Sequence, residues 1–193
     1  MKTTKSILEY ALAGSLTHKP RSGYDLRKTF TTTGMRYYSD SPGSIYPALR
    51  RLESRGWIAV VPETLLQDEP RKRQLFTLTG AGKQALVEWL SRPVTRDDVV
   101  LRSSELMLRF AFMDGNVPRS LTIRFLADFE REKAAQAAGE RAKLDEMRTK
   151  VSLHTGVLAY ESGILGMETQ ANWARRAREQ LELAETNSPP AGN

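Results

Sequence analysis

Apolar residues recur at helical spacing between residues 44 and 54. Four of them are spaced i, i+3, i+4 and i+7, which places them on one stripe of an α-helix: Ile45, Ala48, Leu49 and Leu52. The opposite side is small, hydroxylated and basic, and comprises Ser44, Pro47, Arg51 and Ser54, flanked by Tyr46 and Arg50. This segment alone fits two interpretations equally well, an ordinary amphipathic helix with a solvated face or a helix whose outer face enters a DNA major groove.

Pro47 is an unfavourable residue in a helix interior because it has no N–H to donate. The regular helix is therefore expected to begin late, near Gly43 or Ser44, so that Pro47 falls in or just after an irregular first turn. Ser41 and Pro42 suit the N-cap and the first helical position.

A short hairpin is predicted after this helix. Gly56 can supply the left-handed residue that ends the helix, residues 57–61 suit a strand, and residues 74–78 alternate like a returning strand. Three consecutive basic residues precede the second strand, namely Arg71, Lys72 and Arg73. Such a cluster beside a hairpin can lie along a phosphate backbone, although three basic residues alone usually indicate a solvated loop.

Three further helices complete a predicted first domain over residues 1–93. The first spans about 4–17, the second opens on a capping box formed by Ser22 and Asp25, and the fourth spans about 81–91. The order of helix, helix, helix, two-stranded wing and helix is that of a winged helix-turn-helix.

The second half of the chain is predicted to be a helical dimerisation domain over residues 94–185. Its helices are expected over about 99–112, 116–150 and 157–184, followed by a disordered polar tail over 186–193. A long helix that cannot bury its apolar stripe against a compact neighbour favours a partner chain, so we expect a two-fold homodimer. The alternative is an intramolecular helical hairpin without a partner.

The charge of the chain is unevenly distributed. The net charge is +6, and the whole excess of basic residues lies in residues 1–95. This asymmetry favours an anionic partner for the first half. A membrane surface is a weaker candidate than nucleic acid, because turns interrupt the basic residues and no continuous basic amphipathic helix forms.

The residue types present make several kinds of chemistry unexpected. The 193 residues include no cysteine, which excludes disulfides, a thiol nucleophile and metals held by cysteine. His18 and His154 lie far apart in sequence, and Glu161 and Glu168 make only a weak pair without a histidine nearby. The sequence therefore predicts no enzyme, no metal and no cofactor. The absence of an apolar leader or membrane segment predicts a cytoplasmic location.

Three motifs together resemble the PadR family of transcriptional regulators. They are SIYP-x-L-x-x-LE-x-x-G at residues 44–56, SGYDL at 22–26 and LTGAGKQAL at 78–86. The close match covers roughly residues 7–90, and a helical second half that carries Trp173 is similar to the longer-tailed members. The resemblance implies a DNA-binding regulator, in many members controlled by phenolic or other aromatic compounds.

The pattern and the resemblance together predict a repressor that binds an inverted-repeat operator as a homodimer. The DNA-binding candidates are Tyr24, Ser41, Gly43, Ser44, Tyr46, Pro47, Arg50, Arg51, Arg71, Lys72 and Arg73. Either Arg50 or Arg51 is expected to read a base or to hold a phosphate. The candidates for a small aromatic effector are Met107, Phe110, Phe112, Leu165, Met167 and Trp173, residue types that at helical spacing are more often core than ligand contacts.

Two other functions remain open at this stage. The first is a winged-helix protein-interaction module with a helical dimer clamp and no specific DNA target, against which the basic first half argues. The second is a non-specific architectural DNA binder, which would show the same salt dependence but no sequence preference.

Overall fold

The computed structural model describes residues 3–35, 42–62, 74–150 and 154–186. The chain divides into two compact units, Met1–Leu90 and Ser91–Asn193, and each is described by itself. The predicted fold class is confirmed, since the described residues are mostly helical and carry one small antiparallel sheet.

The first unit contains four α-helices and three short strands within the described residues. They are α1 (Thr3–Ser15), β1 (Arg21–Ser22), α2 (Gly23–Thr32), α3 (Ile45–Ser54), β2 (Ile58–Val60), β3 (Leu75–Leu78) and α4 (Gly80–Leu90), with a 3-10 turn at Pro42–Ser44 before α3. This turn is the irregular start expected from Pro47, which falls in the first turn of α3.

The sheet has the order β1-β3-β2, and both pairings are antiparallel. β2 and β3 form the predicted hairpin, with Ile58 opposite Leu78 and Val60 opposite Phe76. The two-residue strand β1 was not predicted from the sequence, and it places Arg21 opposite Phe76 on the other side of β3. The wing is therefore joined, through the first residues of β3, to the segment that enters α2.

The core of the first unit is built from the predicted apolar stripes. The stripe of α3 is at most 2% exposed, and α3 packs against α1 and α2, whose Leu12, Leu26 and Phe30 are at most 1% exposed. α2 begins at the predicted capping box, in which the Asp25 amide donates to Ser22 Oγ at 3.1 Å and the Ser22 amide donates to Asp25 Oδ2 at 3.3 Å.

The backbone requires glycine at two positions, one between α3 and β2 and the other in α4. Gly56 has a φ of +71°, a left-handed conformation that favours glycine, and it ends α3 as predicted. A Cβ at Gly82 would lie 2.1 Å from the carbonyl oxygen of Trp57. Gly82 is therefore the glycine of the LTGAG motif that lets α4 approach the hairpin closely.

Aromatic side chains join α1 to α4 and to the start of the hairpin. The ring of Tyr10 stacks on Trp89, with centroids 4.5 Å apart and planes 3° from parallel. The same ring lies 5.5 Å from the centroid of Trp57 in a tilted arrangement. Two of the three tryptophans of the chain are thus part of the first unit.

The second unit contains α5 (Arg96–Leu101), α6 (Ser103–Ala111), α7 (Arg119–Lys150) and α8 (Thr155–Thr186). The prediction of one helix over 99–112 was wrong, because the helix is interrupted at Arg102, whose φ of −136° is not helical. The side chain of Lys133 on α7 lies at this interruption, and its Nζ donates to the Val99 carbonyl at 3.0 Å. The carbonyl near the end of α5 therefore has a partner outside its own helix.

α7 and α8 pack along each other within one chain. A small apolar cluster of Leu144, Val157 and Ile164 lies between them. Ion pairs flank this cluster, including Arg141 to Glu168 at 2.7 Å and Arg178 to Glu130 at 3.2 Å. This is the intramolecular hairpin that the sequence left open, and pairing with a second copy stays a prediction. Among the described residues, no helix is both long and apolar enough to span a membrane.

Candidate nucleic-acid interface

The first turns of α2 and α3 meet at one point of the first unit. Gly23 opens α2, and a Cβ at this residue would lie 2.7 Å from Cε1 of Tyr46, so a glycine here leaves room for the ring. Tyr46 is nevertheless 43% exposed, and the neighbouring Tyr24 is 50% exposed. The guanidinium of Arg27 lies 5.8 Å from the centre of the Tyr24 ring, which adds positive charge beside that phenol.

The candidates that the sequence placed on the outer face of α3 differ in their exposure. Arg50, Ser54 and the preceding Gly43 are exposed, whereas Ser44 and Pro47 are partly buried. Arg50 lies away from the buried stripe, and it makes no ion pair with any residue that the structure describes. Arg50 is thus the guanidinium of α3 that is most available to a partner.

Arg51 lies at the flank of α3 and is held by a residue that sequence reasoning missed. Its Nε donates to Oε1 of Glu9 on α1 at 2.7 Å, and Nη1 of Arg55 donates to Oε2 of the same carboxylate. Glu9 is only 4% exposed. A glutamate within the apolar run of α1 was the available signal, because a buried carboxylate requires a cationic or hydrogen-bonding partner.

Four of the DNA-binding candidates lie outside the described residues, and their roles stay predictions: Ser41, Arg71, Lys72 and Arg73. The strands that lead to and from the basic run, β2 and β3, are described and are paired in register.

The structure brings together two of the effector candidates. The rings of Phe110 and Trp173 meet edge to face, with centroids 5.4 Å apart. Phe125 and Phe129 of α7 complete this aromatic cluster, at 6.2 Å from Phe110 and from Trp173 respectively. The other four candidates differ in exposure: Met107, Phe112 and Met167 are partly buried, and Leu165 is 51% exposed.

The second unit also contains two buried cationic side chains. Arg109 is 3% exposed, its guanidinium lies 5.2 Å from the centre of the Phe125 ring, and its Nη2 donates to the Arg92 carbonyl. Burial lowers the pKa of Arg109, which the charges of Asp98 and Glu105 partly oppose.

Lys133 is the second buried cation, and it is 5% exposed. Besides the Val99 carbonyl, its Nζ donates to Ser103 Oγ and to Gln136 Oε1, both at 3.1 Å. Burial lowers the pKa of Lys133, and these three neutral acceptors supply no negative charge that would oppose the shift. No group of acidic residues and histidines suited to a metal ion occurs in the described part of the chain.

Residues 12–88 match the model of the Transcriptional regulator PadR-like family. This stretch of the chain is similar to that family. The match spans α2, α3 and the wing, so the resemblance predicted from the three sequence motifs is confirmed for this part of the chain. The family is one of transcriptional regulators.

Two curated relatives match this chain in part. The Negative transcriptional regulator PadR of Bacillus subtilis (strain 168) is 33% identical over 107 residues, which is 55% of this chain and 57% of that protein. The Probable transcriptional regulator Rv1176c of Mycobacterium tuberculosis is 25% identical over 88 residues, 46% of each chain. The chain spans about half the length of the curated relatives it matches.

Solved structures of PadR proteins are similar over most of the chain. The crystal structure of B. subtilis PadR in complex with operator DNA is 22% identical, covers 91% of this chain and 99% of that chain, and has a TM-score of 0.40. The same protein in complex with p-coumaric acid is 22% identical, with 94% and 99% coverage and a TM-score of 0.40.

Proposed function

We propose that this protein is a DNA-binding transcriptional repressor that binds an inverted-repeat operator as a homodimer. The observation that carries the proposal is the exposed face of α3, with Arg50 and Tyr46 at its surface, inside a domain that matches the PadR-like family. Repression is proposed because the B. subtilis relative is a negative transcriptional regulator. Because the relatives that this chain matches are transcriptional regulators of bacteria, we also propose a non-enzymatic protein that acts in the cytoplasm.

α3 would enter the major groove with its exposed face toward the base edges. The 3-10 turn at Pro42–Ser44 and the small residue Gly43 would allow the backbone to approach the DNA closely, and the hydroxyls of Tyr24 and Tyr46 are suited to phosphate contacts. Arg50 would read a base or hold a phosphate. The basic run Arg71–Arg73 would contact the backbone from the wing.

The homodimer is proposed through the helices of the second unit. α8 exposes three leucines that the hairpin with α7 leaves uncovered, namely Leu158 at 49%, Leu165 at 51% and Leu183 at 64%. Apolar side chains of this size are an expected contact for a second copy, and two-fold symmetry in the protein would match an inverted-repeat operator. Analytical ultracentrifugation of the purified protein tests this step, and a monomer at micromolar concentration contradicts it.

A small aromatic effector is proposed to act on the second unit. The support is the cluster of Phe110, Phe125, Phe129 and Trp173, whose rings can rearrange around an aromatic guest. Quenching of the Trp173 fluorescence by phenolic acids, absent in Trp173→Phe, would support the effector. Because Trp57 and Trp89 also emit, the Trp173→Phe spectrum is subtracted.

The experiment that tests the DNA-binding function compares a duplex selected by this protein from a random pool with a random duplex of the same length, each titrated with salt. The wild type should bind the selected duplex about 10³-fold more tightly or better. Arg50→Ala should weaken this binding, whereas Arg119→Ala, which removes an exposed arginine of α7, serves as a control of equal charge. Failure of the wild type to bind any duplex at low salt would overturn the proposal.

A further inference from the structure

A single buried carboxylate binds two arginines, Arg51 near the end of α3 and Arg55 at its C-cap. Glu9 lies on α1, 42 residues from Arg51 and 46 residues from Arg55 in sequence. The two arginines are four residues apart, hence one helical turn, so their guanidiniums can converge on the two oxygens of one carboxylate. Arg51 uses Nε on Oε1 at 2.7 Å and Arg55 uses Nη1 on Oε2.

Burial of the carboxylate makes this arrangement persistent. The side chain of Glu9 is 5% exposed, and an ionised carboxylate at such a position is strongly destabilising unless it is paired. Loss of either arginine contact would therefore cost more free energy than loss of an ordinary surface ion pair. Arg55 has a second contact, since its guanidinium lies 5.9 Å from the centre of the Trp57 ring.

The two arginines nevertheless stay within reach of solvent. Their side chains are 37% and 51% exposed, so either guanidinium would be available to a nearby phosphate if Glu9 did not hold it. Arg50, the adjacent arginine on α3, has no such pairing among the residues that the structure describes. One acidic residue outside α3 thus determines which of its arginines is available.

This matters because contacts to phosphates raise affinity for every DNA sequence alike, whereas contacts to base edges discriminate between sequences. We propose that Glu9 is a specificity-determining residue, which withdraws Arg51 and Arg55 from phosphate binding and leaves Arg50 as the arginine of α3 that contacts DNA. The inference rests on the proposed DNA-binding function and adds a restraint on non-specific affinity.

Glu9→Gln tests the inference, because glutamine keeps the size of the side chain but removes its charge. At about 50 mM salt, this variant should bind a random duplex several-fold more tightly than the wild type, with a log–log salt slope steeper by about one to two. The ratio of affinities for selected and random duplex should fall accordingly. Glu88→Gln is the matched control, since it removes one exposed carboxylate from α4 and changes the net charge equally.

Two further variants keep the inference testable if Glu9→Gln does not fold. The triple variant Glu9→Gln, Arg51→Gln and Arg55→Gln should regain the wild-type salt slope. Arg55→Gln alone retains the pair between Arg51 and Glu9, and it should leave the salt slope unchanged. A shallower slope in either variant would show that these arginines contact phosphates in the wild type and would overturn the inference.

The outcomes for the inference and for the proposed function are distinguishable. If the wild type binds no duplex at low salt, the proposed function itself fails. If the wild type binds, and Glu9→Gln is folded but binds random DNA no more tightly than Glu88→Gln, only the role assigned to Glu9 fails. Circular dichroism and thermal unfolding of each variant establish that it is folded.

Discussion

Gly23 lies directly against the ring of Tyr46. A Cβ at residue 23 would be 2.7 Å from Cε1 of that ring, closer than side-chain carbons approach in folded proteins. The contact joins the first turn of α2 to the first turn of α3, and through it a residue of the SGYDL motif determines where a tyrosine of the SIYP motif can lie.

Gly23→Ala should therefore move Tyr46 rather than unfold the protein. Because the ring is 43% exposed it can shift outward, so we expect a loss of about 1 kcal/mol or less in the free energy of unfolding. Binding to the selected duplex should weaken more than stability does, since the phenol leaves its position. Gly34→Ala is the control, because nothing lies within 4 Å of a Cβ there. Equal DNA affinity of both variants would contradict a role for Tyr46.

Gly82→Ala, unlike Gly23→Ala, should have a large effect on stability. The added Cβ would meet the Trp57 carbonyl at 2.1 Å, and backbone cannot move aside as a side chain can. We expect a loss of about 2–3 kcal/mol or more in the free energy of unfolding, measured by urea denaturation. Gly80→Ala in the same helix meets nothing within 4 Å and should cost little or stabilise slightly. Similar midpoints for the two variants would show that the close approach is not required.

Alanine substitutions of Arg50 and Arg51 should separate the effect on DNA binding from the effect on protein stability. Arg51→Ala leaves the buried Glu9 with Arg55 alone, and we expect it to lower the free energy of unfolding by about 1–2 kcal/mol. Arg50→Ala should change stability by less than about 0.5 kcal/mol, as is usual for an exposed side chain.

The DNA-binding effects should be reversed, with the larger loss of affinity in Arg50→Ala. If Arg50 reads a guanine, that loss should be about 1–3 kcal/mol and confined to one position of the selected duplex. If Arg50 holds a phosphate, the loss should be the same on all sequences. Fluorescence anisotropy on a set of single-base variants of the duplex measures the difference.

Lys133 should make stability depend on pH on the alkaline side of neutrality. Burial lowers its pKa from 10.5, so between the folded and unfolded pKa values the native state binds fewer protons than the unfolded state. The resulting penalty is fully present below the folded pKa and is relieved as the pH rises toward 10.5. The free energy of unfolding of the wild type should therefore rise relative to that of Lys133→Met as the pH increases.

Urea denaturation in steps from about pH 7 to about pH 10 provides the measurement. Lys83→Met, which removes an exposed lysine of α4, serves as the control and should follow the wild type. Parallel pH profiles for the wild type and Lys133→Met would rule out this role of the buried ammonium.

The sequence predicted those parts of the fold that depend on residues close together in the chain. The stripe that begins at Ile45, the capping box of Ser22 and Asp25 and the end of α3 at Gly56 depend on neighbours a few residues away, and the structure has them as predicted. The two-residue strand β1 was missed, because Arg21 and Ser22 become a strand only through pairing with β3, more than fifty residues later.

The same reason explains the error in the second unit and the contact that was missed in the candidate interface. The sequence around Arg102 continues the apolar period of a helix, and the break there accompanies a contact from Lys133, thirty residues away in α7. The contact between Arg51 and Glu9 was missed because helical spacing cannot show which residue of another helix lies beside a side chain. Long-range pairing of charges was thus the information that periodicity lacked.

Ser22 belongs to two elements at once, as the last residue of β1 and the N-cap of α2. Through β1, the described strand β3 is therefore joined to the helix whose first residue packs against Tyr46, and these parts are already held together in the free protein. A surface that is already ordered loses little conformational entropy on association, so more of the interaction free energy contributes to affinity. We therefore expect the first unit to lose little conformational entropy when it binds DNA, and isothermal titration calorimetry on a short duplex would measure this.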